Sequence, residues 1–149
     1  MYIIRQVGTD DLYQVIELVS RVLTEKYTPH LFLYFYESFP WAFWVAEHNK
    51  QIVGFTVGVR VTQKKGRILM LGVDEKHRKN GIGSRILLHV LDEFKSHNIQ
   101  QVELEVQTSN TNAIRFYSYH HFTIVERIEK FYENGEDAFI MRWDVSGNQ

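Results

Sequence analysis

Apolar positions recur along this chain at two spacings, and the spacings predict its elements. Tyr2 to Val7 reads as a first strand. Leu12, Val15, Ile16, Val19, Val22 and Leu23 then fall at helical spacing, which predicts a helix to about Leu23 with Thr9 as its cap. Thr28-Pro29 signals a second helix start, with proline at the first helical position, and Pro40 lies just past its end. Trp41 to Glu47 and Ile52 to Val61 read as a hairpin turned at Asn49-Lys50. After a turn at Lys64-Lys65-Gly66, Arg67 to Val73 reads as a long strand. It is nearly all apolar, so burial on both faces is expected. Ile82, Ile86, Leu87, Val90, Leu91 and Phe94 mark a helix after Gly81. Val102, Leu104 and Val106 alternate with Glu103, Glu105 and Gln107 as a strand. Asn112 to Tyr119 reads as a short helix. Phe122 to Lys130 and Ala138 to Trp143 read as strands joined by a tight turn at Glu133-Asn134-Gly135-Glu136. The order is strand, two helices, three strands, helix, strand, helix, two strands, an α/β class with a mixed central sheet flanked by helices.

Composition narrows this picture. With 149 residues, one domain over 1–149 with a sizeable core is expected. A net charge of −1 and only short basic clusters give no argument for nucleic-acid binding. There is no cysteine, which excludes disulfides, cysteine-rich zinc sites and a cysteine nucleophile, and suits a cytoplasmic location. No metal site is expected. Met1-Tyr2-Ile3-Ile4-Arg5 lacks the apolar run of a signal peptide, and no segment is long enough to span a membrane.

The chemistry-bearing segment is Leu69 to Val90. An apolar strand opens through Arg78-Lys79-Asn80-Gly81-Ile82-Gly83 into a helix. Such a turn leaves backbone N–H groups clear of Cβ atoms at the positive end of a helix dipole, a cradle for phosphates. The spacing Arg-x-x-Gly-x-Gly is neither the Rossmann fingerprint nor a P-loop.

This turn resembles the acetyl-CoA pyrophosphate loop of the GNAT N-acetyltransferase superfamily. Three further segments resemble its protein N-terminal (Nα) acetyltransferase branch, which includes the RimI-type ribosomal-protein alanine acetyltransferases and the archaeal and eukaryotic Nα-acetyltransferases. These are Leu104-Glu105-Val106-Gln107-Thr108-Ser109-Asn110 with Ala113-Ile114-Arg115-Phe116-Tyr117, then Lys130-Phe131-Tyr132 with Gly135-Glu136-Asp137-Ala138, and Leu23-Thr24-Glu25-Lys26-Tyr27. The chain departs from the branch at three places. Gln107 stands where many relatives have Arg, His121 where a Gly usually precedes the Phe, and Phe131 replaces the first Tyr of a pair.

The resemblance implies acetyl-CoA as cofactor and protein N-terminal peptides as substrate. It leaves association with the ribosome or an auxiliary subunit open. The N–H groups of Lys79, Asn80, Gly81, Ile82, Gly83 and Ser84 would hold the pyrophosphate with Arg78 beside it. The pantetheine arm would lie along Leu71, Gly72 and Val73, with an amide contact from Asn110, whose other reading is a helix cap. Glu105 would be the general base, by alternation opposite Val102, Leu104 and Val106. His77 is a second base candidate or a helper on a water relay, against a plain solvated loop histidine. Tyr117 would be the general acid, against a core aromatic. Glu25, Tyr27, Phe131 and Tyr132 would flank the first residues of the peptide.

An α-amine has a reference pKa near ~8 against ~10.4 for lysine, so freeing a lysine amine at neutral pH costs about 3 kcal/mol more. A carboxylate acting through one water suits the α-amine. Two alternatives stand beside this reading. One is an acetyltransferase acting on small amines or protein lysines; the other is a coenzyme-binding domain without catalysis.

Overall fold

Strand Ile3–Gln6 (β1) runs into a short 3-10 turn, Thr9–Asp11, before helix Leu12–Val22 (α1). Thr9 is not the cap predicted from sequence. The side chain of Asp11 instead accepts from the N–H of Gly8 at 2.7 Å, and Arg5 holds the same carboxylate in place. Helix Pro29–Ser38 (α2) starts at Thr28 with proline at its first position, as expected. Strands Phe43–His48 (β2), Gln51–Arg60 (β3) and Lys65–Val73 (β4) follow. Helix Ile82–Ser96 (α3), strand Gln101–Gln107 (β5), helix Thr111–Tyr119 (α4), and strands Thr123–Ile128 (β6) and Ala138–Asp144 (β7) complete the chain. This computed structural model describes residues 1–23 and 25–145. Among the described residues no helix is long and apolar enough to cross a membrane.

The seven strands form one sheet in the order β1-β2-β3-β4-β5-β7-β6. Every pairing is antiparallel except β4 with β5. On one face α1 and α2 bury Val15, Leu18 and Phe32 against Phe43, Val45, Phe55 and Met70. On the other, α3 buries Leu87, Val90, Leu91 and Phe94 against Val102, Leu104, Val106 and Met141. All six apolar positions read from the α3 pattern are buried. Phe94 fits because β4 and β3 carry glycines beneath it. A methyl group on Gly66 would collide with its ring, and one on Gly58 would come within 2.8 Å.

Two expectations are corrected. β4 is not buried on both faces: Gly66, Ile68 and Met70 are buried, while Arg67, Leu69 and Leu71 are half-exposed. The cause is its neighbour. The parallel pairing with β5 covers Lys65–Gln101, Gly66–Val102 and Arg67–Glu103 and then stops. There the β3–β4 register slips, with Val57 opposite Met70 but Gly58 opposite Ile68, so Leu69 is an extra residue in β4. Such a bulge bends a strand and disrupts its ladder. β4 and β5 therefore part, and a wedge opens between them. The β6–β7 connection is also longer than a tight turn, spanning 129–137. Its tip closes where Gly135 N–H donates to Tyr132 and Tyr132 N–H donates to Glu136. Gly135 has φ +88°, a left-handed conformation natural to glycine.

Candidate active site

The loop after β4 builds an anion cradle from backbone. Gly81 sits at φ +74° as the residue before α3, and a Cβ there would meet nothing within 4 Å. The first bond of α3 is Arg85 N–H to Gly81 O. Among the described residues, the N–H groups of Lys79 through Ser84 have no protein acceptor. Free donors at a helix start are the ordinary end effect of an α-helix, here extended by a loop whose own carbonyls are engaged. The Asn80 amide donates to the carbonyls of His77 and Arg78 at 3.0 and 3.2 Å, and Arg78 Nε donates to Val73 O at 3.1 Å. Loop shape is thus held by side-chain to backbone bonds, with the amides left over.

The wedge between β4 and β5 forms a cleft of about 250 Å³. Leu69, Met70 and Leu71 line one wall; Leu104, Glu105, Val106 and Gln107 line the other; Asn110, Ala113 and Tyr117 close it from α4. Glu25, Tyr27 and Tyr132 stand at the same cleft from the α1–α2 and β6–β7 loops. Of the residues singled out in the sequence, the structure brings Glu25, Tyr27, Leu71, Glu105, Asn110, Tyr117 and Tyr132 together here.

Four of the named residues lie elsewhere: His77, Phe131, Gly72 and Val73. His77 does not line this cleft. Its Nδ1 pairs with the Tyr2 hydroxyl at 3.0 Å, and its ring lies 5.2 Å from that of His48. The short 3-10 turn Glu75–His77 directs it toward β1. Phe131 does not line the cleft either: it is exposed, with its ring edge-on to Tyr132 at 5.0 Å. Gly72 and Val73 lie at the end of β4 rather than in the cleft wall; Gly72 packs under α1, where an added Cβ would approach Phe55 and Val22.

Side-chain geometry fixes the rest. Asn110 caps α4 by accepting from Ala113 N–H at 3.1 Å, so its oxygen is used and its NH2 is not. Glu105 is half-buried, two residues past the last paired rung at Glu103, with its carboxylate 3.8 Å from Arg67. Tyr117 is half-buried, its ring packed on Phe116 and Phe122 at 5.1 and 5.5 Å between rings. Desolvation at the cleft wall pushes its phenol above the ordinary tyrosine value. Burial also raises Tyr132, up to about 12, helped by the charges of Glu25 and Glu105. Tyr27 rises for the same reasons in the same order. These shifts place two carboxylates and two phenols within electrostatic reach of one another. The loop carrying Tyr132 is tied down. Ser109 donates to Glu136, and Asp137 accepts from Lys130 N–H and from Arg127.

Sequence reasoning missed the apolar lining of the cleft, including Leu69 and Val106. Nothing local marks them, because the wedge arises from strand pairing. It also missed a bond from the Ser84 hydroxyl to His120 Nε2 at 2.8 Å, which joins α3 to α4. Among the described residues no cluster could hold a metal ion.

A family model described as acetyltransferase (GNAT) family matches residues 12–122. The N-alpha-acetyltransferase of Sulfurisphaera tokodaii is 30% identical, over 94% of this chain and 91% of that protein. The crystal structure of Ard1 from Thermoplasma volcanium superposes with a TM-score of 0.92 at 33% identity, covering 97% of both chains. Arabidopsis thaliana Naa50 in complex with the bisubstrate analogue CoA-Ac-MVNAL superposes with a TM-score of 0.83 at 27% identity, covering 96% of this chain and 98% of that one.

Proposed function

This chain belongs to the GNAT acetyltransferase family and has its fold, and from that premise we propose that it transfers acetyl from acetyl-CoA to the α-amino group of protein N-termini. The observation that carries this reading is the cleft where β4 leaves β5. It holds a carboxylate and a protonated phenol on its walls and a second carboxylate with two tyrosines at its mouth.

The residues present fit the coenzyme. Six adjacent unpaired N–H groups at a helix start suit a diphosphate, and the open space at Gly81 lets it approach the backbone. The edge of β4 beyond Arg67, which has lost its ladder partner, suits an extended amide-bearing arm. Acetyl-CoA supplies the acetyl group as a thioester, already activated for transfer.

The chain's own residues then have separable tasks. Glu105 takes the proton of the incoming amine, directly or through one water, and Arg67 keeps its carboxylate in position. Tyr117 holds its proton at neutral pH, as a phenol does, and can release it where negative charge develops on sulfur. Tyr27 and Tyr132 remain neutral donors beside Glu25 and Glu105, so they can bond peptide carbonyls while the carboxylates attract the amine.

The experiment is incubation with acetyl-CoA and a peptide library varied at positions one and two, read by mass. A parallel set carries a blocked N-terminus and a free lysine. Acetylation at the α-amine, with the blocked set at least about tenfold slower, is expected from the cost of freeing lysine. Faster modification of the blocked set overturns the reading. Free polyamines as competitors test the small-amine alternative: strong inhibition there counts against peptide recognition.

A further inference from the structure

Ser84 is the last of the six free donors, and its hydroxyl is the one side-chain group of that cradle bonded to α4. The bond runs between Ser84 Oγ and His120 Nε2 at 2.8 Å. His120 is the capping residue at the end of α4, one turn beyond Tyr117. Its place is fixed. Phe122 N–H donates to Tyr117 O and His121 N–H donates to Ser118 O, the pair of bonds that closes a Schellman motif. Its ring is also held edge-on to Phe116 at 5.0 Å, and Phe116 is the side chain nearest Gly83.

The tautomer of this ring is not fixed by the protein. In His48, His89 and His97 a backbone carbonyl lies against Nδ1, which must therefore carry a proton. Among the described residues, His120 Nδ1 has no such partner, and its hydrogen bond is the one to Ser84. Two arrangements fit the same 2.8 Å. In one, Ser84 O–H donates to an unprotonated Nε2, and the hydroxyl proton points away from the cradle. In the other, Nε2–H donates to Ser84 Oγ, and the hydroxyl proton is free to bond an anion.

We propose that His120 is a positioning residue for the coenzyme: it sets the direction of the Ser84 hydroxyl proton and thereby recruits that hydroxyl to the diphosphate. This rests on the reading of residues 79–84 as the diphosphate cradle. The proton balance is simple. On binding, His120 Nε2 takes a proton from solvent while Nδ1 keeps its own, leaving an imidazolium. Burial, followed by the neighbouring His121, holds the free ring below the ordinary histidine value, so it begins neutral. His120 lies on a groove between α3 and α4 where Asp92 and Lys95 face it with opposite charges and Tyr119 stacks edge-on at 5.2 Å. A bound diphosphate pushes the ring the other way. Affinity then rises as pH falls from the ring's value in the complex to its lower value in the free protein.

Long-range proton–nitrogen NMR of the imidazole rings tests this on the unmodified protein, titrated with CoA. Conversion of His120 Nε2 from unprotonated to protonated, alongside shifts of the 79–84 amides, is the expected result. Amide shifts with an unmoved His120 ring overturn the inference and leave the cradle standing. Unmoved amides in the presence of saturating CoA overturn the cradle itself. Kinetics give a second readout, with acetyl-dephospho-CoA to remove the titrating 3′-phosphate. His120→Leu is expected to raise KM for this substrate about 3- to 10-fold, the range of one hydrogen bond, with kcat within twofold. His120→Gln, whose amide is a permanent donor, is expected to restore KM but abolish its dependence on pH between 5.5 and 8. Equal KM values for the two variants, or a pH dependence that survives in His120→Gln, overturn the proposal.

Discussion

Tyr117 meets three demands at once. Its carbonyl accepts the bonds that end α4, and its ring packs on Phe122; its hydroxyl belongs to the cleft. Tyr117→Phe keeps the first two and removes the third. Turnover on an N-terminal peptide is expected to fall about 10- to 100-fold, with KM for acetyl-CoA within twofold. Unchanged kcat in steady-state assays removes the phenol from the reaction. Glu105→Gln is expected to cost about 100-fold in kcat/KM by the same assay. His121 offers a stability test. It sits at φ +71° directly after α4, where the chain needs a left-handed residue. His121→Gly should therefore stabilise the protein by about 1 kcal/mol, measured by urea denaturation. The resemblance had marked His121 as standing where a glycine is usual, and the backbone supplies the reason. The fate of His77 was not legible in the same way. Its partners Tyr2 and His48 come from elements far away in sequence, so no local pattern foretells them.

Elements were most legible where one surface decides them. The six periodic apolar positions of α3, from Ile82 to Phe94, are all buried, and helical spacing alone finds them, while Leu88 off that stripe is exposed. β4 was read less well, because its exposure depends on whether β5 stays alongside, a question of pairing rather than composition. The cap of α1 was misassigned for a similar reason. Asp11, not Thr9, is fixed, because Arg5 on β1 reaches across to it at 2.7 Å. The α3 entry is sharply constrained at Gly81. Gly81→Ala places a Cβ in open space but at φ +74°, so a cost of about 1–2 kcal/mol is expected in denaturation, from backbone strain alone.

At the scale of the molecule, acid stability should be set by carboxylates held between strands. Burial opposes ionisation of Glu103, but hydrogen bonds from Arg142 and the charge of Lys65 outweigh it and lower its value. The Arg5 guanidinium, and then the Gly8 amide, lower Asp11 against the effect of burial. Both folded values lie below the unfolded ones, near ~4.3 and ~3.9. Their contribution is complete above the unfolded values and disappears as pH falls through the folded ones. Glu103→Gln should make the loss of stability below about pH 4 shallower than in the parent, monitored by circular dichroism across pH. A parallel acid limb in both proteins contradicts this assignment.

The early divergence of β4 from β5 has a consequence for exchange with solvent. Beyond Arg67, alternate amides of β4 point into an unbridged gap and should trade hydrogen for deuterium quickly in the empty enzyme. A coenzyme lying in that gap would act as the missing strand, so protection there should appear only on loading, while amides bonded to β3 stay slow throughout. On this reading the sheet is one rung-line short, and a bound coenzyme would complete it.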